Sequence, residues 1–102
     1  MSFFESYQRA VMFFDAKDFI TASRLLADLV AEAGDDLALR LLLARAYYHS
    51  AQLTRAEAQL RHILDTDPVH EYAHLMLGRT LQRLGRSGEA TRYLRLAAAM
   101  AA

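Results

Sequence analysis

The chain repeats itself at a spacing of 34 residues. Ala22, Ala56 and Ala90 share one register; Ala10, Ala44 and Gly78 stand twelve residues before them, Phe13, Tyr47 and Leu81 nine before, and Leu26, Leu60 and Leu94 four after. A period of this length belongs to arrays in which one small unit is stacked on copies of itself, because a single unit cannot bury its own apolar face. The 102 residues hold three units, at about 3–36, 37–70 and 71–102, in a single domain. Small residues recur where two helices must cross closely and large ones where the crossing leaves a gap, as a repeated helical hairpin requires.

Within each unit apolar residues recur three and four apart, and no stretch alternates as a strand would. Breakers fall at Lys17-Asp18, Gly34-Asp35-Asp36, Ser50-Ala51-Gln52, Asp65-Thr66-Asp67-Pro68 and Gly85-Arg86-Ser87-Gly88. They predict six helices, at 3–16, 19–32, 37–50, 54–66, 70–84 and 87–100, each antiparallel to the next across a short loop. Pro68 ends the fourth, since it lacks an amide hydrogen and disfavours helical angles in the residue before it. The third is apolar nearly all round, with Leu37, Leu39, Leu41, Leu42, Leu43, Ala44 and Ala46 relieved only by Arg40 and Arg45. Such a helix is expected to be covered on more than one side, which suggests an external partner over it.

The pattern resembles the tetratricopeptide repeat, a 34-residue helix-turn-helix unit. The third unit carries it in Leu77, Gly78, Leu81, Gly85, Ala90, Leu94 and Ala97; the second in Leu43, Ala44, Tyr47, Leu53, Ala56, Leu60, Ile63, Leu64 and Pro68. The first matches at Ala10, Phe13, Phe19, Ala22, Leu26 and Leu29, but has Arg9 at a core leucine position and Gly34 in place of the proline. The resemblance implies an all-α fold of three tandem hairpins, six helices, in a right-handed solenoid; family members usually add a capping helix, and here none is expected because the third unit takes the chain to residue 102. It also implies a concave groove, lined by the first helix of each hairpin, that binds a protein or peptide partner.

By position, the partner-binding lining is expected at Phe4, Tyr7, Val11, Phe14, Leu41, Leu42, Arg45, Tyr48, Tyr72, Leu75, Met76, Arg79 and Arg83, with Asp15, His49 and Gln82 beside them. The family branch that captures chaperone C-termini places a carboxylate clamp where this chain has Tyr7, Val11, Leu42, Tyr72 and Met76, none of which can hold a carboxylate in that way. Aromatic and arginine side chains are enriched at binding hot spots. The expectation is therefore a scaffold or adaptor that binds an apolar, partly acidic segment.

Charge is zero overall, 12 basic against 12 acidic residues, but uneven: three basic and seven acidic in 1–36, four and three in 37–70, five and two in 71–102, increments of −4, +1 and +3. With the apolar run at Leu94, Leu96 and Met100 near the C-terminus, this suggests an alternative function, self-association into a homodimer through Leu96 and Met100.

His70-Glu71-Tyr72-Ala73-His74 spells the HExxH pattern, in which two histidines one turn apart bind zinc and the glutamate polarises water. A metal-dependent hydrolase is the remote alternative. It wants a third ligand downstream, where only Glu89 is available, and the repeat register accounts for these residues as a helix start and a half-buried packing position. The expectation is no catalysis, no metal and no cofactor. With no cysteine there is no disulfide or thiol chemistry. Zero net charge argues against nucleic-acid coating. The longest apolar run, at 37–48, is too short and too interrupted to span a bilayer, so a cytoplasmic location is expected. Eleven arginines against one lysine fit a GC-rich bacterial genome.

Overall fold

The computed structural model describes Met1–Ala102 and contains six α-helices and no strand. They are α1 Phe3–Asp15, α2 Phe19–Glu32, α3 Leu37–His49, α4 Leu53–Thr66, α5 Glu71–Arg83 and α6 Ser87–Ala101, within one residue of the predicted bounds at either end. Each packs on its neighbour in sequence, giving a rod of hairpins 43 × 24 × 22 Å. None is long and apolar enough to cross a membrane.

Side chains start several helices by accepting amide hydrogens the helix itself leaves unbonded. Asp18, Asp36 and the Nδ1 of His70 accept from the amides of Thr21, Leu39 and Ala73, and Ser2 with Glu5 forms a reciprocal capping box. Hydrogen bonds from Ser2 hold the Glu5 carboxyl below its ordinary pKa.

The three hairpin turns are copies of one another. Lys17, Ala51 and Gly85, 34 apart, all adopt left-handed backbone, with φ of 64°, 59° and 77°. At each, the residue's own amide donates to a carbonyl three back (Phe14, Tyr48, Gln82) and the next amide donates five back (Phe13, Tyr47, Leu81). That pair of bonds defines a Schellman helix end, which favours glycine because a Cβ crowds the backbone in this region. Only the third turn has glycine there.

Two clusters form the core. The first joins Ala10, Ala22, Leu26, Leu29 and Val30 with Leu39, Leu43 and Ala46; the second joins Ala44 with Leu60, Ile63, Ala73, Met76, Leu77, Leu81 and Ala90. Helix α3 feeds both, and Leu37, Leu41 and Tyr48 also lean on the second. This corrects the expectation of an external cover: the hairpins before and after α3 supply the two apolar environments it needs. At the close crossing of the third hairpin, a Cβ on Gly78 would lie 2.5 Å from Leu94 Cδ2 and 2.6 Å from Cγ. Ala10 and Ala44, at the same register, are fully buried with room for their methyl groups.

On the side of the second helices, the joints between hairpins differ in chemistry. Between α4 and α6, Glu57 accepts from Arg61 Nε at 2.9 Å and Arg86 Nη1 at 2.8 Å, Arg86 Nε reaches Glu89 at 2.6 Å, and Arg61 donates to the Tyr93 hydroxyl. Burial raises the pKa of Glu57, but the hydrogen bonds from Arg61 and Arg86 outweigh it and hold the carboxyl below its ordinary value. The hydrogen bonds from Arg86 do the same for Glu89. Between α2 and α4 the joint is neutral: the Gln52 amide nitrogen donates to Ser23 Oγ and Ser50 Oγ.

Candidate protein-binding groove

The first helices of the three hairpins share repeat positions, so their exposed and half-buried side chains form columns: Val11, Arg45 and Arg79; Phe14, Tyr48 and Gln82; Asp15, His49 and Arg83. Contacts join them across the hairpins. The Arg45 guanidinium lies 5.1 Å from the centre of the Phe14 ring, and that of Arg83 lies 4.6 Å from the centre of Tyr48, whose carbonyl it also reaches at 3.0 Å. His49 lies edge-on to Phe14 and Tyr48 and stacks on Phe19 at 4.7 Å. A guanidinium over an aromatic face keeps its donors directed outward while its carbon skeleton is packed.

The cations of this ladder have no anion. Every ion pair in the structure involves Glu57 or Glu89 on the opposite side, so Arg45, Arg79 and Arg83 lack carboxylate partners. The Nε of Arg45 is buried with no acceptor. Burial, then repulsion from Arg45 and Arg83, lowers the pKa of His49, so the imidazole stays neutral near pH 7 and adds no further charge.

The structure therefore brings together Phe14, Arg45, Tyr48 and Arg83 of the expected lining. Arg79 is exposed in the Arg45 column, Tyr72 is exposed at the start of α5, and Leu41, Leu42 and Leu75 are half-buried. Phe4, Tyr7 and Val11 lie apart on α1, where with Met12 they edge a shallow cavity of about 610 Å³. Met76 is a correction: at 4% exposure it belongs to the second core cluster, because its register points it between α5 and the hairpin before. Phe19, a repeat match at the start of a second helix, also reaches this side, packing on Phe14 and His49; the sequence reading does not place it in the lining. Leu96 is exposed and Met100 half-buried on α6, beside the 73% exposed Val69.

The HExxH residues are used structurally. His70 Nδ1 caps α5, and His74 Nε2 meets the Pro68 carbonyl at 2.8 Å while its ring stacks on Tyr93. One repeat earlier, Arg40 makes the matching contacts, with the Gly34 carbonyl at 2.6 Å and with Gln59. His74 is thus the third unit's version of a tie to the preceding turn, and it is more deeply buried than the half-buried position expected. No three potential ligands converge around it.

Comparison with solved structures gives close matches in shape. MamA of Desulfovibrio magneticus RS-1, as a double mutant, superposes with a TM-score of 0.88 at 24% identity over 97% of this chain. MamA of MSR-1 gives 0.90 at 14% over 97%. The second TPR domain of Spaghetti (RPAP3), bound to the HSP90 peptide SRMEEVD, gives 0.85 at 19%, covering 98% of this chain and 93% of that one. The chain spans only 56% and 57% of those two MamA chains. No curated protein matches the sequence. The tetratricopeptide repeat family model matches residues 13–77. With that match over more than half its length, and three hairpins in one register, the chain belongs to the tetratricopeptide repeat family.

Proposed function

We propose that this chain is a cytoplasmic scaffold or adaptor, without catalysis of its own, whose concave groove binds an apolar protein segment carrying acidic residues. The observation that carries the reading is the ladder of Arg45, Arg79 and Arg83, aromatic-backed at two of its three steps and without a carboxylate partner. A partner carboxylate supplies the anion that Arg45, Arg79 and Arg83 lack, and charge-assisted bonds to guanidinium are among the strong ones. The Spaghetti domain, bound to a peptide with two glutamates and an aspartate, supports the fold's capacity for such a ligand. The ligand here differs, because Tyr7, Val11, Leu42, Tyr72 and Met76 stand where a chaperone-tail clamp would be. In the test, immobilised protein captures partners from a bacterial lysate beside a folded Leu41→Asp/Arg45→Glu variant. Loss of specific partners is expected; identical capture by both would refute the groove.

The exposed Phe4 and Met12 on the acidic first unit and Leu96 on the basic third favour a second reading, homodimerisation. Light scattering that reads a strict monomer at high concentration would exclude it.

A further inference from the structure

The two valleys between second helices can be compared position by position. In the α4/α6 valley, Glu57, Arg61, Arg86 and Glu89 fill the space, and the Glu57 side chain is only 13% exposed. One repeat earlier the same positions hold Ser23, Ala27, Gln52 and Arg55. Both carboxylates and most of the bulk are gone, leaving a cavity of about 520 Å³ between α2 and α4.

Its floor is self-satisfied. Gln52 donates to both serine hydroxyls and accepts from Arg55 Nη1 at 2.8 Å, while Ser23 and Ser50 donate to the carbonyls of Ile20 and Ala46. Its walls are not. Arg24, Tyr47 and Arg55 line it from α2, α3 and α4, and the Arg24 guanidinium, the Tyr47 hydroxyl and the other N–H groups of Arg55 have no protein acceptor. Asp28, one turn beyond Arg24, is the sole carboxylate lining the cavity and pairs with neither arginine. Two guanidinium groups and a phenol against one carboxylate leave donors in excess, and a planar carboxylate is the acceptor that guanidinium forks fit.

We propose that this valley, on the side away from the groove, is a second ligand site that takes a carboxylate where the chain supplies its own Glu57 one repeat further on. It stands independently of the groove. The carboxylate can come from an acidic side chain of a bound protein or from a free dicarboxylic acid, and the test separates these. Isotope-labelled full-length protein is titrated with glutarate and, separately, with an end-blocked peptide carrying three glutamates, at ionic strength held constant with sodium chloride. Saturable NMR shifts are expected at Ser23, Tyr47, Gln52 and Arg55, with apparent affinity about tenfold weaker in Arg24→Gln/Arg55→Gln and unchanged in Arg95→Gln, an exposed arginine of α6. Saturation by glutarate identifies a small-acid site, and saturation by the peptide alone a protein-docking site; either supports the proposal. Ser23→Glu, which places a carboxylate in the valley from within, is expected to abolish both responses. Absence of saturable shifts with both probes, or equal shifts in the double arginine variant, overturns the site. Both arginines are exposed, so that variant keeps the fold and the test stays decisive.

Discussion

Replacing Ala51 by glycine is expected to stabilise the protein, although it removes a side chain. Ala51 sits at φ 59° in the second hairpin turn, where an L-residue pays about 1–2 kcal/mol for the contact between its Cβ and the neighbouring carbonyl. Glycine removes that strain but gives the unfolded chain more freedom, which costs about 0.4–1 kcal/mol. The net gain lies between about 0 and 1.6 kcal/mol and centres on about 0.8 kcal/mol, a rise in Tm of about 3–6 °C for a domain of this size. Ala51 is exposed, so little packing is lost. The reverse change provides the control: a Cβ added at Gly85 meets no atom within 4 Å, so Gly85→Ala carries the backbone strain alone and should cost about as much as Ala51→Gly gains. Urea unfolding followed by circular dichroism, with thermal melts of both variants, reads the two changes. A destabilised Ala51→Gly, or a Gly85→Ala that melts with the wild type, would refute the claim that the three turns share one strained conformation.

Gly78→Ala should destabilise by about 1–3 kcal/mol, because its Cβ would overlap Leu94; adding Leu94→Ala should make the second change far less costly than Leu94→Ala alone, as a double-mutant cycle of urea midpoints would show. The depressed carboxyls of Glu57 and Glu89 contribute stability that is fully present above their ordinary pKa of 4.5 and lost as pH falls through their lower folded values. Glu57→Gln should therefore flatten the fall in urea midpoint between pH 5 and about pH 3. An NMR titration should place the His49 pKa below 6.5, since burial and then the two arginines disfavour its cation, and Arg83→Gln should raise it.

The repeat register made the architecture legible from sequence, because each unit confirms the others and punctuation such as Pro68 and Gly85 has few structural meanings. It also predicts which side chains of the first helices share a repeat position, such as Phe14 with Tyr48 and Arg45 with Arg79. Left-handed angles at Lys17 and Ala51 were beyond it: neither residue announces such a conformation, and only the coincidence of position with Gly85 hints at it. Met76 was misplaced because register fixes a helix face to within a residue, while the line between groove and core is narrower than that. The apolar α3 illustrates the opposite error. Counting its leucines revealed that two faces must be covered, but only packing shows that the chain covers both itself. The valley beside Ser23 was invisible for a third reason: it is defined by the side chains that are absent from it.

The contrast between the two joints has a mechanical consequence. Carboxylate–guanidinium pairs tie the third unit to the second through Glu57, whereas the second is tied to the first with no carboxylate, by Gln52 and its serine partners and by Arg40 on the Gly34 carbonyl. Ionic strength and acidity loosen charged contacts and leave neutral ones nearly unaffected. The two joints are therefore expected to differ in their response to salt and acid, the one between the last two hairpins weakening first. Arg45 and Arg79 stand on either side of the carboxylate-bearing joint, so any loosening of that joint is felt between these two cations before it reaches the first unit.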